Sequence, residues 1–400
     1  MHCLKDVDIL IHDCTIVTMD SRQPIIEKGF LTIKNGQITD VCKKSRALLS
    51  VKAEETIDGE GKVALPGLVN CHTHVAMTLF RGLAEDQPLD LWLRDTIWPL
   101  EAKLKPSDIY DGALLGCLEM IKSGTTCFAD MYFHEDVIAQ AVERAGLRAV
   151  LALGIIEAGE AHRGESMLRG AVSFVKKYDG FAGGRVKVQL GPHALYSCSP
   201  NLLRRVGEAA SKLGVGVHIH LAESMETARA LRAKYGVGEV ELLKRIGFLK
   251  GLNVLAAHCI HLSSEEMHLL ASRGVRVAYT PVANMKLGMG APKIDTLLRL
   301  GAIVGVGTDG PASNNTLDMF ESMKAAALLQ KVWHKDPTVL PAETVLRMAT
   351  IDGAKALGLE KSVGSLEVGK RADLILVDFD KPHLTPRHNL YANLVYSARG

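Results

Sequence analysis

Eight apolar, strand-like runs recur along the middle of this chain, each followed by a stretch with helical spacing. They are VALPGLVN (63–70), TTCFADMYF (125–133), RAVLALGII (148–156), RVKVQLGPH (185–193), GVGVHIHLA (214–222), NVLAAHCI (253–260), RVAYTPVAN (276–284) and AIVGVGTDG (302–310). Near-continuous apolar character, rather than strict alternation, marks strands buried on both faces, as parallel strands are. Eight such strands alternating with helices predict a closed α/β barrel of the (β/α)8 TIM type. Helix ends are signalled as well. Ser199-Pro200 precedes one helical stretch, Ser263 and Glu266 form a capping box before another, and Gly214 and Gly274 close them.

The two ends have another rhythm. DILIHDCTIVTMD (8–20) and GFLTIKNGQITDVC (29–42) alternate apolar and polar residues, and Asn35-Gly36 favours a two-residue hairpin. GSLEVGKRADLILVDFD (364–380) is a glycine-punctuated turn and a strand. Residues 1–64 and 356–400 are therefore expected to pair into a small β-sandwich domain, with the barrel as an insertion over 65–355.

With 47% apolar and 23% charged residues and a net charge of +2, the chain has the composition of an ordinary globular enzyme. No run of Lys and Arg forms a nucleic-acid stripe, and no apolar stretch approaches the ~20 residues of a membrane span. The eight cysteines are scattered without a C-x-x-C pair, and no signal-peptide layout opens the sequence. A cytoplasmic protein with reduced thiols, binding neither nucleic acid nor membrane, is expected.

Polar residues cluster where the predicted strands end. His72 and His74 close the first, His193 the fourth, His220 and Glu223 the fifth, His258 the sixth and Asp309 the eighth, while Asn284 lies past the seventh. The carboxyl ends of barrel strands form the active-site mouth, so these side chains are expected to share one site. Residues two apart on a strand face the same way, so His72 and His74 can grip one ion. With His220 and Asp309 they offer three nitrogens and a carboxylate oxygen, a set for one divalent transition metal, Zn²⁺ first and Fe²⁺ second. A structural reading competes at each position. H-x-H can be two satisfied strand-end residues, Asp309 a turn former before Gly310-Pro311, and Glu223 a first-turn acid of the next helix. His218 shares a face with His220 but sits deeper, and is expected to pack inside the barrel. Convergence at one mouth favours chemistry: Glu223 to move protons, His258 and Asp309 to hold and deprotonate a water.

PGLVNCHTH, HLAES, AHCIHL and GTDGPASNNTLDM together resemble the amidohydrolase superfamily, and within it the methylthioadenosine/S-adenosylhomocysteine deaminases. The resemblance runs over nearly the whole chain. It implies one metal held by His72, His74, His220 and Asp309, with Glu223 protonating a purine ring nitrogen and His258 on the water. It also implies Glu101 at the ribose hydroxyls, His193 at the far edge of the purine, and Trp92 in the pocket wall, on a segment folded over the mouth. The substrate so implied is a purine nucleoside: 5′-methylthioadenosine, S-adenosylhomocysteine, 5′-deoxyadenosine or adenosine. A homo-oligomer is expected from the same resemblance. Two features depart from the family pattern. Leu153 stands where one of two carboxylate-clamping arginines is expected, the other falling near Arg163 or Arg169, and relatives continue past the position of Gly400 with further strands. The alternatives are guanine deamination or triazine hydrolysis on the same scaffold, or a barrel without catalysis.

Overall fold

A computed structural model describes residues 5–43, 51–83 and 85–400. Eight parallel strands form one sheet in chain order: β6 (Leu68–Thr73), β7 (Thr125–Tyr132), β8 (Arg148–Ile155), β9 (Val186–Pro192), β10 (Val217–Leu221), β11 (Val254–His258), β12 (Arg276–Tyr279) and β13 (Val304–Val306). Each strand after the first follows a helical connection, as the apolar runs predict. Inward side chains are small or branched, with Val69, Cys71, Cys127, Ala129, Val150, Leu255, Ala257 and Ala278 in one buried cluster. Such residues fill a barrel interior in layers, so the floor beneath the site is packed rather than open.

The seam between the first and last strands is closed by side chains and turns. Asn70 Nδ2 donates to Thr308 Oγ1 (2.7 Å), the Thr308 amide returns to Asn70 Oδ1 (3.0 Å), and the Asp309 amide donates to the His72 carbonyl (2.9 Å). Thr73 Oγ1 adds a bond to the Asp309 carbonyl at 2.9 Å. Asp309 is thereby placed directly against the His72–His74 turn.

The terminal segments build a second, mixed sheet from β1 (Lys5–Val17), β2 (Ile25–Lys34), β3 (Gln37–Lys43), β4 (Val51–Asp58), β5 (Lys62–Pro66) and β14 (Leu374–Asp378). Asn35 and Gly36, with φ of 52° and 68°, make the two-residue hairpin turn between β2 and β3. The first apolar run does not form one strand. It breaks at Gly67: residues 62–66 pair with β14 in the terminal sheet, and the barrel strand begins at Leu68. Only glycine fits there, because a Cβ on residue 67 would lie 2.1 Å from Thr126 Oγ1.

Helix caps follow the sequence signals. Ser199 Oγ accepts the Leu202 amide, Ser263 and Glu266 exchange both capping-box bonds, and Gly214 closes Pro200–Leu213 at φ 69°. Among the described residues no helix is long and apolar enough to cross a membrane.

Candidate active site

The polar strand ends meet in one place. His72, the fifth residue of β6, is fully buried, and His74 follows the strand at the start of a 3-10 turn over Val75–Phe80. His220 comes from β10. One ring nitrogen from each of His72, His74 and His220 lies within 4.8 Å of the others. Asp309 Oδ1 is 3.4 Å from both His72 Nε2 and His74 Nε2.

Each imidazole is held by its far nitrogen. His74 Nδ1–H donates to the Met131 carbonyl (2.6 Å) and His220 Nδ1–H to the His193 carbonyl (2.9 Å). A carbonyl only accepts, so both rings carry the proton on Nδ1 and turn an Nε2 lone pair inward. His72 Nδ1 meets His218 Nε2 at 2.8 Å, leaving His72 Nε2 buried with no partner. His218 therefore backs His72 from inside the barrel. Burial pushes the His72 imidazole down to about 4 against the opposing pull of Asp309, and drives His220 well below its ordinary value, with neighbouring histidines adding to it. Neutral imidazoles converging on one point, beside a carboxylate, are arranged to hold a divalent transition ion.

Burial pushes the Asp309 carboxyl up, but the neighbouring imidazoles of His72, His74 and His258 outweigh it, so the group is held well below the usual range. Its Oδ1 accepts the Gly310 amide and its Oδ2 the Ser313 hydroxyl, both at 2.8 Å. Asp309 sits at φ 65°, and His258 and Ala222 at 70° and 50°. Three non-glycine residues in left-handed backbone at three strand ends mark a site where geometry is kept at a cost to local stability.

Glu223 lies across from Asp309, with Oε1 3.5 Å from His258 Nε2. Burial raises its carboxyl above the ordinary value. His258 is fixed through Nδ1, which meets Asn284 Oδ1 at 3.1 Å and Thr280 Oγ1 at 3.0 Å, and its Nε2 is buried without a partner. Two carboxyls whose surroundings shift them in opposite directions, Asp309 down and Glu223 up, flank the same space.

A small cavity of about 70 Å³ opens over this cluster, lined by His74, Trp92, Glu101, His193, His220, Glu223, His258 and Asp309. His72 lies beneath its floor. Trp92 and Glu101 arrive on consecutive helical turns, Trp92–Ile97 and Trp98–Glu101, which cover the mouth. His193 Nδ1 bonds Ser197 Oγ at 2.9 Å, and burial pushes its imidazole down to about 3. The strand-end residues singled out by sequence thus border one space, except His72 beneath it and Asn284 behind His258. Sequence reading missed Tyr132 and Ser313, also in the cavity wall. The strand-end rule that picked out the histidines applies equally to Tyr132, the last residue of β7, and Ser313 stands one helical turn after Asp309.

A family model described as the amidohydrolase family matches residues 63–400. This chain belongs to the amidohydrolase family. Its amidohydrolase relatives include a 5′-deoxyadenosine deaminase of Methanosarcina acetivorans, 49% identical over 393 residues, covering 98% of this chain and 89% of the relative. A 5-methylthioadenosine/S-adenosylhomocysteine deaminase of Moorella thermoacetica is also 49% identical, over 392 residues (98% and 90%). Among solved structures, an adenosine deaminase from Xanthomonas campestris with bound zinc superposes with a TM-score of 0.92 at 34% identity, covering 99% of this chain and 90% of that one. The zinc complex of an atrazine chlorohydrolase from Arthrobacter aurescens superposes at 0.88 with 26% identity (97% and 91%).

Proposed function

We propose that this amidohydrolase is a metal-dependent hydrolytic deaminase that converts the 6-amino group of an adenosine derivative to the inosine-type product, releasing ammonia. The observation that carries the reading is Glu223: a carboxyl 12% exposed, raised in pKa by desolvation, 3.5 Å from His258 Nε2 and beside the histidine cluster. Hydrolysis of an aromatic amine needs an acid at the ring nitrogen, and this carboxyl is tuned to be one. The names of the relatives at 49% identity support the same chemistry.

His72, His74, His220 and Asp309 would hold one ion per chain, read as Zn²⁺ on the zinc of the Xanthomonas structure, with Fe²⁺ the alternative. The buried, unpartnered His72 Nε2 fits that assignment. When bound, such an ion lowers the pKa of water toward ~7. Asp309 and His258 orient the attacking water toward C6, and Asp309 takes its proton. Glu223 delivers a proton to N1 as the tetrahedral adduct forms; Asp309 then gives its proton to the amino group, which leaves as ammonia, and Glu223 takes back a proton from the C6 hydroxyl as the carbonyl forms. Glu101, a carboxyl away from the cluster, suits the sugar hydroxyls. His193 and Trp92 bound the purine.

An adjoining cavity, lined by Leu104, Ile109, Phe133, Ile156 and Arg163, receives the 5′ substituent. Leu153 and Arg169 line neither cavity. A carboxylate clamp needs paired, fixed donors, so neutral 5′ groups suit this pocket better than a homocysteine tail. Six buried, free cysteines among the described residues, Cys14, Cys71, Cys117, Cys127, Cys198 and Cys259, support a reducing, cytoplasmic setting. Leu115, Leu118 and Ile121, about half-exposed on one helix, support self-association.

The test is a panel of adenine nucleosides on metal-loaded enzyme, followed by ultraviolet absorbance and ammonia release. 5′-Deoxyadenosine and 5′-methylthioadenosine are expected to be the best substrates, ahead of S-adenosylhomocysteine. Absence of turnover on every member of the panel overturns the reading.

A further inference from the structure

Tyr132 stands apart from the rest of the site. It is the last residue of β7, 4% exposed, with its ring 5.4 Å from Phe133 and 6.3 Å from His74 between centroids. Its backbone amide is fastened by Glu135 Oε1 at 2.9 Å, so the strand end is rigid. Its hydroxyl is buried without a hydrogen-bond partner. A buried phenol is seldom left so, because an unmade bond there costs the full desolvation of the group.

The acceptor facing it is Glu101. Both side chains line the same cavity, but Glu101 rides on the segment covering the mouth, while Tyr132 belongs to the barrel wall. Burial pushes the Glu101 carboxyl up to about 7, and the Tyr132 phenol is the group that pulls it back down. A carboxylate on a covering segment can accept two hydroxyls only if something fixes its plane.

We propose that Tyr132 is a positioning residue: its phenolic hydroxyl donates to the Glu101 carboxylate, anchors it to the barrel wall, and aims its free lone pairs at the vicinal hydroxyls of the substrate sugar. The inference rests on the deaminase reading and on the sugar role given there to Glu101. It ties sugar recognition to the packing of the Trp98–Glu101 turn against the barrel wall, since Glu101 and Tyr132 line the same cavity from these two elements.

The experiment combines Tyr132→Phe, Glu101→Gln and the double variant. Each is tested on adenosine and 2′,3′-dideoxyadenosine for turnover, and on inosine and 2′,3′-dideoxyinosine for binding by calorimetry. Losing one charge-assisted bond is expected to raise KM for adenosine and Kd for inosine about tenfold in Tyr132→Phe. The dideoxy compounds are expected to shift less than about twofold, and Tyr132→Phe to add nothing in the Glu101→Gln background. Equal losses on both sugars, an additive loss in the double variant, or no change in adenosine KM overturns the proposal while wild-type turnover upholds the deaminase reading. Wild-type enzyme that neither binds inosine nor deaminates adenosine overturns both.

Discussion

At the scale of single residues, the site is a set of ionisable groups whose environments push them apart. Glu223 and Asp309 are both carboxyls near the same histidines, but one is raised by burial and the other held ionised by its partners. Glu223→Gln preserves shape while removing the transferable proton. Turnover is expected to fall by about 10²–10⁴-fold with metal content unchanged by elemental analysis; near-normal activity would contradict the role. A second buried acid acts on stability. Glu239 Oε2 accepts the Ala222 amide at 3.0 Å, just before Glu223, and burial pushes its carboxyl up to about 7 despite that bond. The folded protein therefore keeps this proton from an ordinary value of 4.5 up to about 7, and loses on the order of 3 kcal/mol of stability as pH rises through that window. Glu239→Gln has no proton to lose and still offers an oxygen to Ala222. Its Tm relative to wild type is expected to climb between about pH 5 and pH 8, and a constant difference would show that the group is not buried as described.

At the scale of elements, the ligands are aimed by what packs behind the strand ends. The helix Pro106–Lys122 lays Ile109, Gly112, Ala113, Gly116, Cys117 and Met120 inward, and its small residues let it approach the turn that follows His74. A Cβ on Gly116 would meet Val75 Cγ2 at 2.5 Å and the Val75 carbonyl at 3.0 Å. Gly116→Ala is expected to cost about 1–3 kcal/mol and to weaken metal retention, because the displaced backbone adjoins a ligand. A thermal melt with metal titration checks it; lowered Tm with unaltered metal affinity would mean that the turn yields without moving His74. The same scale explains the two halves of the first apolar run. Hydrophobicity is continuous across 63–70, so the switch between sheets at Gly67 leaves no mark except the glycine itself.

At the scale of the whole molecule, ligands from β6, β10 and the end of β13 are joined through the ion they would share, so metal and fold should stabilise one another. A ligand at about a hundred times its Kd contributes roughly 2.7 kcal/mol. Chelation is expected to lower the wild-type Tm by several degrees, reversed by adding Zn²⁺. His220→Ala should hold less than about a tenth of an ion per chain and melt at the same temperature with or without chelator. A fully loaded His220→Ala protein would pass the ligand role to His218, whose ring lies 4.9 Å from that of His72.

The eight apolar runs and the polar residues at their carboxyl ends were legible because they follow from chain-local rules. A strand buried on both faces must be apolar throughout, and a barrel exposes chemistry only where its strands stop. His72, His74, His220, Glu223, His258 and Asp309 could be picked out on that basis alone. What the sequence could not carry is which nitrogen each imidazole presents, since that depends on carbonyls at Met131 and His193, which belong to other strands. Nor could it give the polar seam from Asn70 to Thr308, or the histidine contacts that pull Asp309 down while burial raises Glu223. Those depend on distances between residues far apart in the chain, and such distances come into being only when the barrel closes.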